Sequence, residues 1–347
     1  MAIRPDVLDW LLEPDNPPVR LLTLTHLLDR READIEVRRA HDDLPVYRPT
    51  QAILDHPNAL SLDGKPPYWN YAGLYWQLIL LGEFLADGTD PRIAAAVRFI
   101  LENRHWVQKR RWQCLTANLL GALMRIGFAE HPIVVGETEA LARRIVEDDG
   151  IGCSEMRTSL LTRCFMALPK LLLCFAEVPP DRRTSDVSRA IERITADLLD
   201  KQVFVYVPGH RSEWRGIVDT RPKRAELPRG ERVADWIAAR RERFLAERGP
   251  GELGPKRGWL RFGFPLHYNS DILEALAALA HADVPYDARL DRALEVVLDR
   301  RTSDGRWLLD RSMNGKTLVD IETPRAPSKW LTFRALHVLK HFGVDDA

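Results

Sequence analysis

Apolar residues recur along this chain at the spacing of one helix face. In LDRALEVVLDRR, Leu290, Leu294, Val297 and Leu298 fall at i, i+4, i+7 and i+8, positions that one side of a helix would bury. ILEALAALAHA repeats the stripe through Leu273, Leu276 and Leu279, and KWLTFRALHVLKHF closes the chain in the same way. A single stretch, QVFVYV from Gln202 to Val207, has the β-branched and aromatic content of a strand. The pattern predicts an all-α protein.

The predicted helices come in pairs joined by a recurring connector. Asp90-Pro91-Arg92-Ile93, His131-Pro132-Ile133-Val134 and Asp287-Ala288-Arg289-Leu290 each open the second helix of a pair. Asp accepts hydrogen bonds from free N–H groups at a helix start, and Pro fits the first turn, where its missing N–H costs nothing. The 41 residues from Ile93 to Val134 match the length of a helical-hairpin repeat. Asp63-Gly64, Asp149-Gly150 and Asp304-Gly305 then mark the ends of second helices, because Gly tolerates the left-handed backbone that stops a helix.

Residues 1–50 follow another scheme. WLLEPDNPPVRLLTLTHLLDR reads as a helix end, an Asn16 cap, Pro17-Pro18 in a first turn, and a new helix, a HEAT-like hairpin capping the array. Residues 51–347 form the main domain. Its repeat is lost at about 203–262, where a basic insertion with one short helix around Ala234 to Glu247 is expected.

Composition narrows the class. Of 347 residues 45% are apolar, enough for a large core, and Lys+Arg and Asp+Glu are both 50. No global field therefore attracts nucleic acid or a membrane surface. The insertion is the exception: Lys201 to Arg261 holds fifteen Lys/Arg against eight Asp/Glu. That excess suits a diphosphate or a solvated loop; without interleaved aromatics it does not suggest a nucleic-acid partner. No run approaches the roughly 18 apolar residues of a membrane span, and the first residues lack a signal-peptide pattern. Four scattered cysteines are too few for a disulfide framework, so a reduced, cytoplasmic protein is expected.

Helical hairpins punctuated by Arg301-Thr302-Ser303-Asp304-Gly305-Arg306-Trp307 resemble the α/α-toroid superfamily of terpenoid cyclases and protein prenyltransferases. Arg301 stands where that superfamily's motif has Gln, and the pattern covers roughly Asp55 to Phe342. Trp112-Gln113-Cys114 and His267-Tyr268 are similar to W-x-C and H-Y pairs in bacterial squalene-cyclase-like proteins of no firmly assigned reaction. The resemblance implies an α/α toroid, and an enzyme with a central aromatic-lined cavity for an apolar or isoprenoid-like small molecule. The motifs of the best-known reactions are missing. Asp320-Ile321-Glu322 is the nearest approach to the cyclases' Asp-x-Asp-Asp, Asp42-Asp43 and Asp148-Asp149 lack the third carboxylate of a magnesium motif, and Cys153 follows Asp149 by four residues instead of two.

Several side chains are candidates for chemistry. FGFPLHYNSD places His267 and Asp271 beside aromatics at a helix start; they would serve as an acid–base pair, or Asn269 or Ser270 would cap the helix with Asp271 favoured by its dipole. In VDIETPRAPSKW, Asp320, Glu322, Arg325 and Trp330 would line a cavity mouth, or Ser328 would simply cap the last helix. Tyr68, Trp69, Trp76 and Tyr268 would face substrate through their ring faces or fill the core. Cys114, Cys153 and His267 would suit zinc if the fold joined them; the alternative is cysteines acting as small hydrophobes, the reading preferred for Cys164 and Cys174. His337 and His341 share a helix face, where their charge would complement the helix dipole. The competing functional class is a non-catalytic α-solenoid that binds a peptide or protein.

Overall fold

Helices buried on nearly every side alternate with helices buried along one stripe, as the apolar runs require. The structure, a computed structural model, describes residues 3–61, 68, 70–103, 113–147 and 154–344. The first kind comprises α5 (Leu74–Glu83), α7 (Gln113–Leu123), α9 (Leu168–Ala176), α13 (Ile272–His281) and α15 (Lys329–His341). The second comprises α6 (Pro91–Glu102), α8 (Pro132–Glu147), α10 (Ser185–Asp200) and α14 (Asp291–Asp299). The protein is all-α, with one two-stranded sheet among the described residues. No helix there is long and apolar enough to cross a membrane.

The buried helices pack in succession: α5 on α7, α7 on α9, α9 on α13, and α13 on α15. The striped helices cover them from outside, α6 on α5, α8 on α7, α10 on α9 and α14 on α13. The ends of the succession also meet, since Arg334 of α15 donates to Glu83 of α5 at 2.6 Å and the Trp330 ring lies 6.0 Å from that of Phe84. Inner leucines such as Leu80, Leu120, Leu171 and Leu276 are fully buried, each worth about 1.5–3 kcal/mol. At Gly82 a Cβ would stand 2.6 Å from that of Ala122, so the glycine is what lets α5 and α7 approach so closely.

The expected caps form. Asn16 accepts from the Val19 N–H at 3.3 Å at the start of α2 (Pro17–Leu22), and Asp90 from the Arg92 N–H at 2.8 Å. Ser328 accepts from the Leu331 N–H at 3.0 Å. The N-terminal segment comprises α1 (Pro5–Leu11), α2, α3 (Ile35–Asp42) and α4 (Arg48–Leu54). Within it α2 packs on α3 and against α15. In the 301–307 turn Gly305 has φ +80°, and the fully buried Trp307 donates from Nε1 to the Val297 carbonyl of α14 at 2.8 Å. Its own N–H donates to Thr332 Oγ1 of α15 at 3.1 Å, which places Trp307 as a wedge between two helices. Asp63-Gly64 and Asp149-Gly150 lie outside the described residues.

The insertion holds more structure than its sequence predicts. The expected helix runs longer, as α12 (Val233–Arg248), and is joined by an unforeseen α11 (Arg211–Asp219). Strand β1 is only Val205–Val207, and it is not isolated: it pairs antiparallel with β2 (Gly254–Pro255). Trp214, Val218, Ile237 and Phe244 form a small core of their own with Leu160, and Trp214 Nε1 donates to the Thr158 carbonyl at 2.8 Å. Apolar positions spaced along two short helices suffice for this cluster, but arginines between them mask the pattern in sequence.

Candidate functional site

Four of the five inner helices bring a charged side chain to a single cavity between them, and the turn after α7 brings another. Glu83 comes from α5, Lys170 from α9, Glu274 from α13 and Arg334 from α15. Arg125 follows the end of α7, in a π-type turn (Met124–Phe128). His267 closes the cavity from the 262–271 segment. The space between them is about 30 Å³, room for about two waters.

The charges are paired across helices. Arg125 bridges Glu83 at 3.2 Å and Glu177 at 3.5 Å, and Glu177 also lies 3.4 Å from His281. Lys170 pairs with Glu274, with both side chains nearly excluded from solvent. Burial alone would favour neutral Glu83, but the charges of Arg125 and Arg334 outweigh it and hold the carboxyl below its usual range. Glu177 is held down in the same way, against burial, by His281 and Arg125. Within these pairs, Glu274 Oε2 and Arg125 Nε are buried without a hydrogen-bond partner among the described residues.

His267 is 3% exposed, and neither ring nitrogen has a hydrogen-bond partner among the described residues. Its backbone sits at φ +51°, a left-handed conformation that costs a non-glycine residue about 1 kcal/mol or more. The surrounding contacts over-determine it: Asn118 donates to its carbonyl at 3.2 Å, Tyr71 stacks on its ring at 5.2 Å, and Trp76 meets it edge-on at 5.1 Å. Burial first, and the Lys170 charge second, push the imidazole down to a pKa of about 3, with Glu83 pulling the other way. A neutral ring of this kind offers one donor and one acceptor.

Of the aromatic residues singled out in the sequence, Tyr68, Trp76 and Tyr268 do gather around His267. Trp76 lies 4.7 Å from Tyr268 and 5.8 Å from Tyr68. Trp69 lies outside the described residues. Trp330 takes the core role, stacked on Phe264 at 4.3 Å.

The expected carboxylates divide differently. Asp271 is itself the cap of α13, not Asn269 or Ser270: Oδ1 accepts from the Glu274 N–H at 2.8 Å and Oδ2 from the Gly263 N–H at 2.9 Å. With both oxygens engaged it positions the His267 loop, although burial and the Glu274 charge raise its pKa to about 7. Glu322 caps α15, accepting from Ser328 Oγ and from the Lys329 N–H at 2.8 Å. The exposed Asp320 accepts from the Gly315 N–H at 2.9 Å. Both line a separate cleft of about 690 Å³ against the N-terminal helices, together with Trp10 and Lys329. Arg325 is exposed, with φ +64°, and lines neither cavity. These residues do not meet His267, because the 313–328 loop turns toward the N-terminal segment.

Cys114 is buried at the start of α7 and Cys153 lies outside the described residues; among those described, no three His, Cys, Asp or Glu side chains could hold a metal ion. Cys164 and Cys174 are buried, as expected of core cysteines. His337 is not a dipole-complementing cation: burial and the nearby His26, His281 and His341 push its pKa down to about 3.

Sequence reasoning singled out none of Glu83, Arg125, Lys170, Glu274 and Arg334 as site residues. For Lys170 and Glu274 a signal exists, a lone charge among apolar residues in LPKLLLCFA and ILEALAALAH. No protein-family model, curated protein or solved structure matches the chain.

Proposed function

We propose that this chain is an enzyme on an α/α-toroid scaffold, whose axial cavity carries out acid–base chemistry on a small polar substrate or on the polar head of a larger one. The carrying observation is that four inner helices and the turn after α7 direct charges to one cavity. Burying ions costs several kcal/mol each, and well-packed apolar residues at such positions are often the more stable choice. Perturbed titratable groups gathered in a cavity are also a mark of functional sites. In this reading His267 exchanges a proton with the substrate, Lys170, Arg125 and Arg334 hold its negative charge, and the Tyr71–Trp76–Tyr268 cluster fixes the imidazole. Asp271 positions the loop and does not react.

The apolar or isoprenoid-like substrate implied by the resemblance would need a pocket of several hundred Å³. The axial space is about 30 Å³ and charged, which is why a small polar group is proposed there. The Arg334–Glu83 link between the last and first inner helices favours this reading over an open peptide-binding solenoid.

The test is a thermal-shift screen of small carboxylates, phosphates and amines against the chain and its Lys170→Met/Glu274→Leu double variant. A compound should raise the Tm of the parent and not of the variant, and His267→Gln should bind it without converting it. Equal shifts in parent and variant for every compound would overturn the reading.

A further inference from the structure

A second pocket lies between the 156–166 segment, β1 and α11. Its volume is about 480 Å³, within the range that holds a drug-sized molecule. Its lining includes the apolar Leu160, Leu161, Phe165, Met166, Trp214 and Val218. It also includes Arg163, Arg211, Arg215, Arg221 and Lys256 against, among the described residues, one carboxylate, Asp219.

The positive charge is incompletely neutralised. Arg163 pairs with Asp197 from α10. Arg215 and Arg221 share Asp219 at 3.9 and 4.0 Å, at the limit of an ion pair. Arg211 and Lys256 take part in no ion pair among the described residues. The Tyr206 hydroxyl, also in the lining, is buried without a hydrogen-bond partner there, and its ring is stacked at 4.5 Å on Phe165. An unpaired buried hydroxyl costs free energy that a ligand oxygen would recover. The rigid aromatic floor is set by the insertion: the β1–β2 pairing carries Tyr206, and the small core around Trp214 anchors α11.

We propose that this pocket binds an amphiphilic anion, a molecule with an apolar chain or ring and a carboxylate or phosphate head. The apolar residues take the body and exclude water; the head meets Arg211, Lys256 and the half-neutralised Arg215 and Arg221. Guanidinium groups favour such heads because their paired N–H donors match the two oxygens. The local excess of positive charge in the insertion thereby acquires a ligand, in a chain whose net charge is zero. This inference does not rest on the function proposed for the axial cavity.

Calorimetric titration of the full chain tests it, with dodecyl phosphate, laurate and the uncharged dodecyl maltoside, each below its micelle-forming concentration. The anions should bind one per chain, at least tenfold more tightly than the maltoside. Arg211→Glu/Lys256→Glu should weaken them tenfold or more with the Tm unchanged, since neither side chain supports the fold. Leu161→Trp should weaken the alkyl ligands by taking up space among the apolar residues. The tighter of the two anions identifies the head. Lys170→Met/Glu274→Leu should leave these affinities unchanged, which separates this pocket from the axial one. Equal binding of maltoside and anions, indifference to charge reversal, or no saturable binding would each overturn the proposal.

Discussion

Lys170 of α9 and Glu274 of α13 form an ion pair with side chains only 3% and 8% exposed, and the second carboxylate oxygen of Glu274 has no partner among the described residues. Two charges drawn out of water are tolerable only while each has the other. The pair ties neighbouring inner helices together and leaves an acceptor facing the charged cavity.

Lys170→Met therefore strands a buried carboxylate, and the expected loss is about 3–5 kcal/mol of unfolding free energy. Lys170→Met/Glu274→Leu should regain most of it, because the unpaired charge is then gone. Urea denaturation of the three proteins measures both values. A single variant as stable as the double would mean that water reaches Glu274 freely.

Acid should weaken the fold through His337. Its ring stacks on Phe333 and lies 5.2 Å from His26, facing also His281, His341 and Lys340. Its folded pKa of about 3 lies below the unfolded 6.5, so between these values the unfolded chain binds the extra proton. Stability from this group is complete above pH 6.5 and is lost as pH falls toward 3. His337→Phe keeps the stacking and removes the titration. Relative to the parent it should gain on the order of 2–4 kcal/mol between pH 7 and pH 4, read from denaturation midpoints across that range. The comparison of the two proteins cancels Asp271, whose raised pKa works in the opposite direction over part of the same window. Parallel pH profiles would show that His337 is solvated.

Gly305→Ala should cost about 1–3 kcal/mol. Alanine is strained at φ +80°, and its Cβ would stand 3.1 Å from both Arg4 Cδ and Val7 Cγ2. A thermal melt reads the change, and an unchanged Tm would mean that the 301–307 turn can shift away from α1.

Much of the framework is legible in the sequence because its causes are local. The apolar stripes of α13 and α14, the Asp90-Pro91 and Asn16-Pro17 helix starts, and the Gly305 turn each rest on residues within a few positions of one another. The packing of Tyr71 and Trp76 on His267 was not legible, since these rings come from a distant part of the chain. The insertion was harder: α11 lies in RSEWRGIVD, where polar residues outnumber the buried Trp214 and Val218.

The roles of the carboxylates depend on the tertiary structure. Asp271, Asp320 and Glu322 look alike in sequence, as acids near a helix start or loop. Backbone N–H groups engage all three, those of Glu274 and Gly263, Gly315, and Lys329 respectively, and so they serve structure.

The sequence alone determined that this chain is helical and how its helices pair, because periodicity and capping act over one or two turns. The charged cavity was decided only by tertiary structure. Glu83 and Arg334 meet across 251 positions, and Lys170 and Glu274 across 104. A lone charge in an apolar helix reveals its purpose only when packing brings its partner to it.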